Sequence, residues 1–424
     1  MPAIRPRHAI DVTERKLGSA RAVVVNGPRQ SGKSELLRLL HGHLGGALLT
    51  LDQPQHLRLA RTDPTGFVHD RARPLMIDEV QRGGDPLVLA VKVLLDSSQD
   101  RGQVVLAGST RFLTEPRLSE SLAGRVRFVE LWPFSQGEID EIGPSSDRLL
   151  DRLVGPADEI HRSTMTAPNL SRRDVYARVC VGGFPEAALS SDQRARAEFF
   201  TDYVRTISQR DITELGRITD RIDLPAVLRL LAERTATVMN TARVADAVGV
   251  SQDSMRRYLP LVETIFLLYQ LPAFAPTSAA RTRRRPKMHI TDTGLAAALL
   301  GITVDRLLDP SATIVGQLLE TFVVMELVKQ STWASELVRL SHYRDTGGRE
   351  VDIVIETPDG RVAGVEVKAA IDVDTSDFRH LAYLRDQLGD RFTAGVVLHC
   401  GREPARWGDR LLSLPISALW TPAS

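Results

Sequence analysis

The sequence predicts an α/β protein of several domains, led by a mostly parallel sheet covered on both faces by helices. Three observations predict it. Between Arg21 and about Glu141, short apolar strands alternate with helical stretches, the rhythm of strand–helix–strand units. A glycine-rich turn follows the first of those strands and leads straight into a helix. Past Lys287 the strands return in a different order, with acids and a lysine on adjacent strands. At 424 residues the chain is too long for one ordinary core, so two to four domains are expected.

The first-region strands are Ala22–Asn26, Ala47–Leu51, Pro74–Ile77, Gln103–Ala107 and Val126–Leu131, each bounded by Gly, Pro or charge. From Gly143 to Asn169 the chain turns polar and irregular and reads as a flexible connection. Helical periodicity resumes from Ser171 to about Thr237. Asn240 to about Pro272 then reads as helix, glycine turn, helix and apolar strand, and Arg281–Lys287 is basic. The boundaries expected are 1–142, 143–237, 238–285 and 286–424.

Composition narrows the function. Hydrophobic residues are 43% and charged residues 25%, and 54 basic against 53 acidic side chains leave a net charge of +1. No global charge footprint for nucleic acid exists, so any such contact must be local. Cys180 and Cys400 stand far apart and in no metal-ligand spacing, which argues for a reducing compartment. No apolar run approaches a membrane-spanning length, and Met1–Val12 has no apolar core of a signal peptide. A cytoplasmic protein without membrane contact is expected.

The strongest motif is GPRQSGKS: Gly27, Pro28, Arg29, Gln30, Ser31, Gly32, Lys33 and Ser34. It fits G-x-x-x-x-G-K-S between a strand and a helix, where backbone N–H groups and the helix dipole favour phosphates. Lys33 would reach the β- and γ-phosphates of ATP, and the Ser34 hydroxyl would ligate Mg²⁺. A second strand ends in Asp78-Glu79. Asp78 fits the Mg²⁺ shell, and Glu79 fits the base that polarises the attacking water. A bare Asp would leave a kinase open; the added Glu favours hydrolysis. Ser109-Thr110 ends the next strand and either holds the γ-phosphate or water or is a simple turn. Arg125 is either an arginine finger, in its own chain or on a neighbour, or a helix-capping arginine.

These residues resemble a known family. GPRQSGKS, MIDEVQ, GST, SLAGRV and LWPFSQGE, with GGFPEA (Gly182–Ala187), RDITEL (Arg210–Leu215) and PKMHITDTGL (Pro286–Leu295), are similar to bacterial and archaeal AAA-type ATPases fused to a DUF4143 domain. The resemblance implies an ATPase domain, a winged-helix middle and a restriction-endonuclease-like C-terminal region.

The residues of the last two regions point the same way. In TARVADAVGVSQDSMRRYLPLVE, Val244, Ala245 and Val248 line the inner face of one helix. Gly249 supplies the turn, Ser251 caps a second helix, and Met255, Tyr258 and Leu259 face the core. Gln252, Asp253, Arg256 and Arg257 face outward, where they suit a DNA groove or a protein partner alike. The run Arg281–Lys287 either extends a phosphate-contacting surface or is a solvated loop.

C-terminally, helix Val315–Gln330 precedes strands Leu337–Tyr343, Glu350–Glu356 and Arg361–Lys368, helix Ser376–Gly389 and strand Thr393–His399. This order resembles the PD-(D/E)xK nuclease core. Asp352 lies on one strand; Glu366 and Lys368, two apart, share one face of the next. A turn at Asp359-Gly360 brings the strands together. Asp352 and Glu366 would hold Mg²⁺, with Lys368 between them and Glu320 as a fourth member. Ordinary surface charges on an exposed hairpin are the alternative.

Three function classes follow. The first is an ATP-driven, nucleic-acid-associated protein, acting alone or as a homo-oligomer, whose nucleotide state governs a nuclease-like module. The second is an ATP-dependent switch that binds proteins and does not cut. The third is a metabolic kinase, disfavoured by Asp78-Glu79 and by the lack of an evident acceptor lid.

Overall fold

A computed structural model describes residues 5–109, 122, 124–143, 148–155, 170–214, 223–275 and 284–422. Thr110, Arg281 and Arg283 lie outside the described residues. Two compact units divide the chain: residues 1–134 with 264–266, and residues 135–263 with 267–424.

The first unit is built on a five-stranded sheet of β1 (Ala22–Asn26), β2 (Ala47–Thr50), β3 (Leu75–Asp78), β4 (Val104–Gly108) and β5 (Val126–Glu130), in the order β2-β3-β4-β1-β5. All pairings are parallel. The five strands predicted are the five observed, each within a residue or so at its ends. β1 shows why: all five of its residues are buried, as a strand covered on both faces requires. Leu51, Phe67, Val68, Leu87, Val91 and Leu106 form the core on one side of the sheet. Helix Lys33–Leu44 follows β1 directly, and helix Gly84–Ser97 runs between β3 and β4 with its apolar stripe inward.

The second unit holds two sheets. The smaller joins β6 (Thr237–Val238), β7 (Leu268–Leu271) and β8 (Lys287–Ile290) in the order β6-β8-β7, all antiparallel. Helix Leu224–Glu233 precedes β6, and helices Thr241–Val248 and Gln252–Thr264 lie between β6 and β7. The paired helices form as their sequence predicts. The Asn240 side chain accepts the N–H of Arg243 at 3.2 Å, Gly249 ends the first helix at φ 71°, and Ser251 Oγ accepts the N–H of Ser254 at 3.0 Å. Met255, Tyr258 and Leu259 are buried while Gln252, Asp253, Arg256 and Arg257 are exposed. Val248 is only half-buried.

The larger sheet has the order β13-β14-β12-β11-β10-β9. Its strands are β9 (Arg339–Arg344), β10 (Glu350–Glu356), β11 (Val362–Lys368), β12 (Phe392–His399), β13 (Ala405–Gly408) and β14 (Leu411–Pro415). Helices Val315–Ser331 and Arg379–Leu388 pack against it, and Val351, Val354, Leu381, Leu384 and Phe392 share its core.

Several expectations need correction. The polar stretch after Gly143 contains a helix, Leu149–Val154, with five of its six residues buried. The carbonyls of Leu153 and Val154 accept from the Thr393 hydroxyl and the Arg361 guanidinium, so this piece is fastened to the larger sheet. The stretch 171–237 is helical as expected, with four helices among its described residues, but it ends in β6. A boundary at 285/286 would cut the small sheet, since β8 is its middle strand. The β10–β11 turn is longer than two residues: Thr357 and Arg361 still pair at 3.0 Å around Pro358, Asp359 and Gly360. β13 and β14 were not anticipated. Among the described residues no helix is long and apolar enough to cross a membrane.

Candidate functional site

The carboxyl edge of the first sheet gathers the motif residues. Asn26 of β1 pairs in register with Gly108 of β4, which puts Gly27 and Ser109 side by side, and β3 ends at Asp78 on the far side of β4. This is the crevice at the strand ends where open parallel sheets bind ligands. Gly27 must be glycine: a Cβ there would lie 2.1 Å from the Leu131 carbonyl oxygen. Gly32, at φ 95°, supplies the left-handed turn into the helix, and Gln30 is also left-handed at φ 60°. Lys33 is 5% exposed, and its Nζ donates to the carbonyls of Gly27 at 2.9 Å and Pro28 at 2.7 Å. The Ser34 hydroxyl donates to the Asp78 carboxylate at 2.6 Å. An ammonium, a helix N-terminus and a hydroxyl–carboxylate pair in one crevice fit a nucleotide triphosphate with Mg²⁺.

Glu79 follows Asp78 with its backbone in the left-handed region, φ 54°, where few residues other than glycine settle. Its N–H donates to Asp78 Oδ1 at 3.0 Å. Burial raises its pKa above the ordinary glutamate value, against the opposing pull of Lys33, the Gln81 amide and Arg29. A residue with no assigned role completes the group. The Gln81 amide donates to Glu79 at 2.5 Å and to Ser109 Oγ at 3.1 Å, so one side chain links the carboxylate and the hydroxyl. Arg7 is the other unforeseen member. It is 5% exposed and donates to the carbonyls of Ser31 at 2.6 Å and Trp132 at 2.7 Å, while lying 4.8 Å over the Phe134 ring. Nothing in its sequence neighbourhood marks it.

Arg125 is placed elsewhere. It immediately precedes β5, and its carbonyl accepts the N–H of Ala22 at 3.3 Å, so it lies at the amino edge of the sheet. Five strand residues, hence six rises of about 3.3 Å, separate its level from Gly27, roughly 20 Å. Its guanidinium forks onto the Asp96 carboxylate. The reading as a finger for its own chain's nucleotide is therefore corrected.

In the second unit the C-terminal carboxylates converge. The register Ile353↔Val365 sets Asp352 opposite Glu366, on one sheet face. Asp352 Oδ2 accepts the N–H of Val367 at 3.0 Å. The cation paired with Asp352 is not Lys368, whose Nζ lies 3.6 Å from Asp377, although the Lys368 charge still opposes the rise of the Glu366 pKa. It is Lys287 of β8, with Nζ 2.6 Å from Glu350, 2.8 Å from Glu320 and 3.5 Å from Asp352. Burial alone would lower the pKa of this ammonium, but the three carboxylates outweigh it and raise the pKa. Burial and Asp352 push Glu320 up to about 8, against Lys287, and they hold Glu366 well above the usual carboxylate range. Lys287 is thus not part of a solvated basic run. Its neighbours Arg284 and Arg285 are exposed. Glu350 was also missed, because a strand-end glutamate carries no local signal. Among the described residues, no three or more His, Cys, Asp or Glu side chains are grouped to hold a metal ion.

The motifs GGFPEA and ITDTGL meet at Asp292, which accepts the N–H groups of Gly183 at 2.7 Å and Leu295 at 3.0 Å. A Cβ at Gly182 would lie 2.2 Å from Asp292 Oδ1.

Comparison with known proteins places three family models along the chain. An AAA domain matches residues 19–140, a domain of unknown function, DUF8612, matches 172–306, and another, DUF4143, matches 315–419. DUF4143 thus starts later than the boundary expected at 286, and DUF8612 spans the helical and helix-turn-helix segments together. An uncharacterized protein of Mycobacterium tuberculosis is 28% identical over 99% of this chain and 86% of its own length. An uncharacterized protein of Haemophilus influenzae is 22% identical over 73% of this chain and 69% of its own. Among solved structures, the Walker-type ATPase of Pyrococcus abyssi superposes with a TM-score of 0.43 at 14% identity, over 70% of this chain and 98% of that one.

Proposed function

Because the chain joins an AAA domain to a DUF4143 domain, we propose that it binds and hydrolyses ATP and that this drives a nucleic-acid-associated C-terminal module. The observation that supports hydrolysis is the Ser34–Asp78 contact of 2.6 Å beside the Glu79–Gln81–Ser109 chain. Lys33 and the backbone N–H groups of 27–34 hold the phosphates, and Ser34 and Asp78 are the residues that would hold Mg²⁺. Bound there, the ion would neutralise charge on the β- and γ-phosphates. Glu79 draws a proton from the attacking water, and Gln81 fixes the angle of its carboxylate against Ser109. Arg125 acts, if on nucleotide at all, on a neighbouring copy.

The order helix, β6, two helices, β7, β8 in the second unit supports a winged-helix reading, with Arg256, Arg257, Arg284 and Arg285 exposed for phosphate contact. The larger sheet supports a nuclease-like reading through Asp352 and Glu366. A specific observation favours the second function class, the switch that does not cut: an ammonium already neutralises the carboxylates a metal would need.

Lys33→Ala should abolish ATP binding, while Glu79→Gln should keep it and slow hydrolysis at least about 100-fold. Wild-type ATP affinity in Lys33→Ala defeats the assignment. DNA- or RNA-stimulated turnover, compared at two salt concentrations, separates the nucleic-acid reading from the protein-partner reading, since phosphate contacts weaken steeply with salt.

A further inference from the structure

The second unit carries a cavity of about 360 Å³ whose residues have no part in the function proposed above. Three helices shape it: Gln193–Glu214, Leu224–Glu233 and Thr293–Leu300. Its floor is apolar. Phe200 and Val204, one turn apart on the first helix, line it with Leu295 of the third, and they are 3%, 8% and 0% exposed. The floor is also held in place. The Phe200 ring meets Phe184 edge-on at 6.0 Å and Phe199 edge-on at 5.1 Å, and the Leu295 N–H donates to Asp292 at 3.0 Å. The rim is of another kind. Arg205 of the first helix and Arg229 of the second line the same cavity and are exposed. Among the described residues neither guanidinium has an ion-pair or hydrogen-bond partner, and none of the described lining residues is acidic. One exposed arginine is ordinary. Two, on separate helices at the edge of one apolar hollow, give that hollow a sign.

We propose that this cavity binds a small organic anion with an apolar body, its chain on Phe200, Val204 and Leu295 and its carboxylate or phosphate head at Arg205 and Arg229. The volume lies within the roughly 300–1,000 Å³ of small-molecule sites. Each methylene laid on the floor leaves water, which favours binding in proportion to the apolar area removed. A guanidinium offers two parallel N–H donors to a carboxylate or phosphate, so the head is fixed by direction as well as charge. A cationic head is repelled at the same rim. A partner helix fits less well, because a docked helix needs an apolar strip along its groove. Here the longest wall is polar at Thr201, Arg205 and Gln209, all exposed, and the apolar area is a spot beneath it.

Isothermal titration calorimetry on the full-length, nucleotide-free protein tests this with decanoate, decyl phosphate and decyltrimethylammonium. One equivalent of decanoate or decyl phosphate should bind, at least about tenfold tighter than the ammonium, which shares the chain but not the bidentate head. The tighter of the two anions names the head group. Arg205→Ala and Arg229→Ala should each weaken the anion about fivefold, the scale of one exposed ion pair, and leave the ammonium no weaker. Ala298→Trp places a ring in the hollow from an exposed position and should abolish binding. If circular dichroism shows that variant unfolded, Arg205→Glu with Arg229→Glu replaces it, since both changes lie on exposed helix faces. Equal affinity for anion and ammonium overturns the proposal, as does undiminished anion binding in either folded variant. Failure of both anions overturns it too, and a glutamate-flanked amphipathic peptide that binds in their place shows the groove to be a protein-docking surface instead.

Discussion

Replacing Gln81 by alanine removes a side chain that touches both Glu79 and Ser109. The change leaves Lys33, Ser34 and Asp78 in place, so ATP affinity should hold. Hydrolysis should not. The amide lies 2.5 Å from the Glu79 carboxylate, and a hydrogen bond to a charged group contributes about 1.5–3 kcal/mol. At about 1.4 kcal/mol per tenfold in rate, kcat should fall roughly 10- to 150-fold if that bond orients the base in the transition state. The pH profile adds a second readout. Burial already raises the Glu79 pKa, and the Gln81 bond is one of the interactions opposing that rise. Without it the pKa climbs further, the carboxylate ionises only at higher pH, and the acid limb of the kcat profile moves upward. Steady-state ATPase rates from pH 5 to 9, with nucleotide affinity measured separately, test both. A kcat within twofold of wild type and an unmoved acid limb would refute the reasoning.

Two further variants probe other parts of the chain. Arg125 lies at the sheet edge away from its own phosphate loop, so a finger role needs a second copy. Arg125→Ala should lower turnover by roughly 10³–10⁵, and mixing it with Glu79→Gln should recover activity; an inactive mixture rules the role out. Asp292→Ala should cost about 2–4 kcal/mol, from a lost helix cap and an unpaired Gly183 N–H. Asp292→Asn should restore most of it, as read by urea denaturation, and a loss under 0.5 kcal/mol in the alanine variant would show the junction to be dispensable.

What could be read beforehand was what is local. Gly27–Ser34 specifies itself, because strand, turn and helix are contiguous and each glycine answers a backbone need visible in the motif. Asp352 and Glu366 were legible because strand alternation and an antiparallel hairpin fix faces by counting. Lys287 was not. Its partners lie 33 to 65 residues on, and in the sequence it looks like the end of a basic run. Arg7 was hidden for the same reason, since Trp132 is 125 residues away. Gln81 sat within a recognised motif, yet its task depends on where β4 ends. Arg125 shows the opposite error: its place after a turn suggested a role that the direction of β5 forbids within one chain. The helix Leu149–Val154 was missed because its surroundings are polar, while its own apolar residues are too few to display a period.

The close contact of Gly27 with the Leu131 carbonyl has a mechanical side. Leu131 N–H also donates to the Asn26 carbonyl at 2.7 Å, and Arg7 clamps Ser31 to Trp132 a few residues further along the loop. The phosphate-binding loop is therefore fastened at its beginning and near its end to the same two consecutive residues. Those residues stand almost at the point where the chain leaves the first unit, at Phe134. Glycine at position 27 leaves no side chain to cushion the contact. Within the first unit, a displacement of Leu131 or Trp132 is thus passed to the loop, the way a taut line moves the cleat it is tied to.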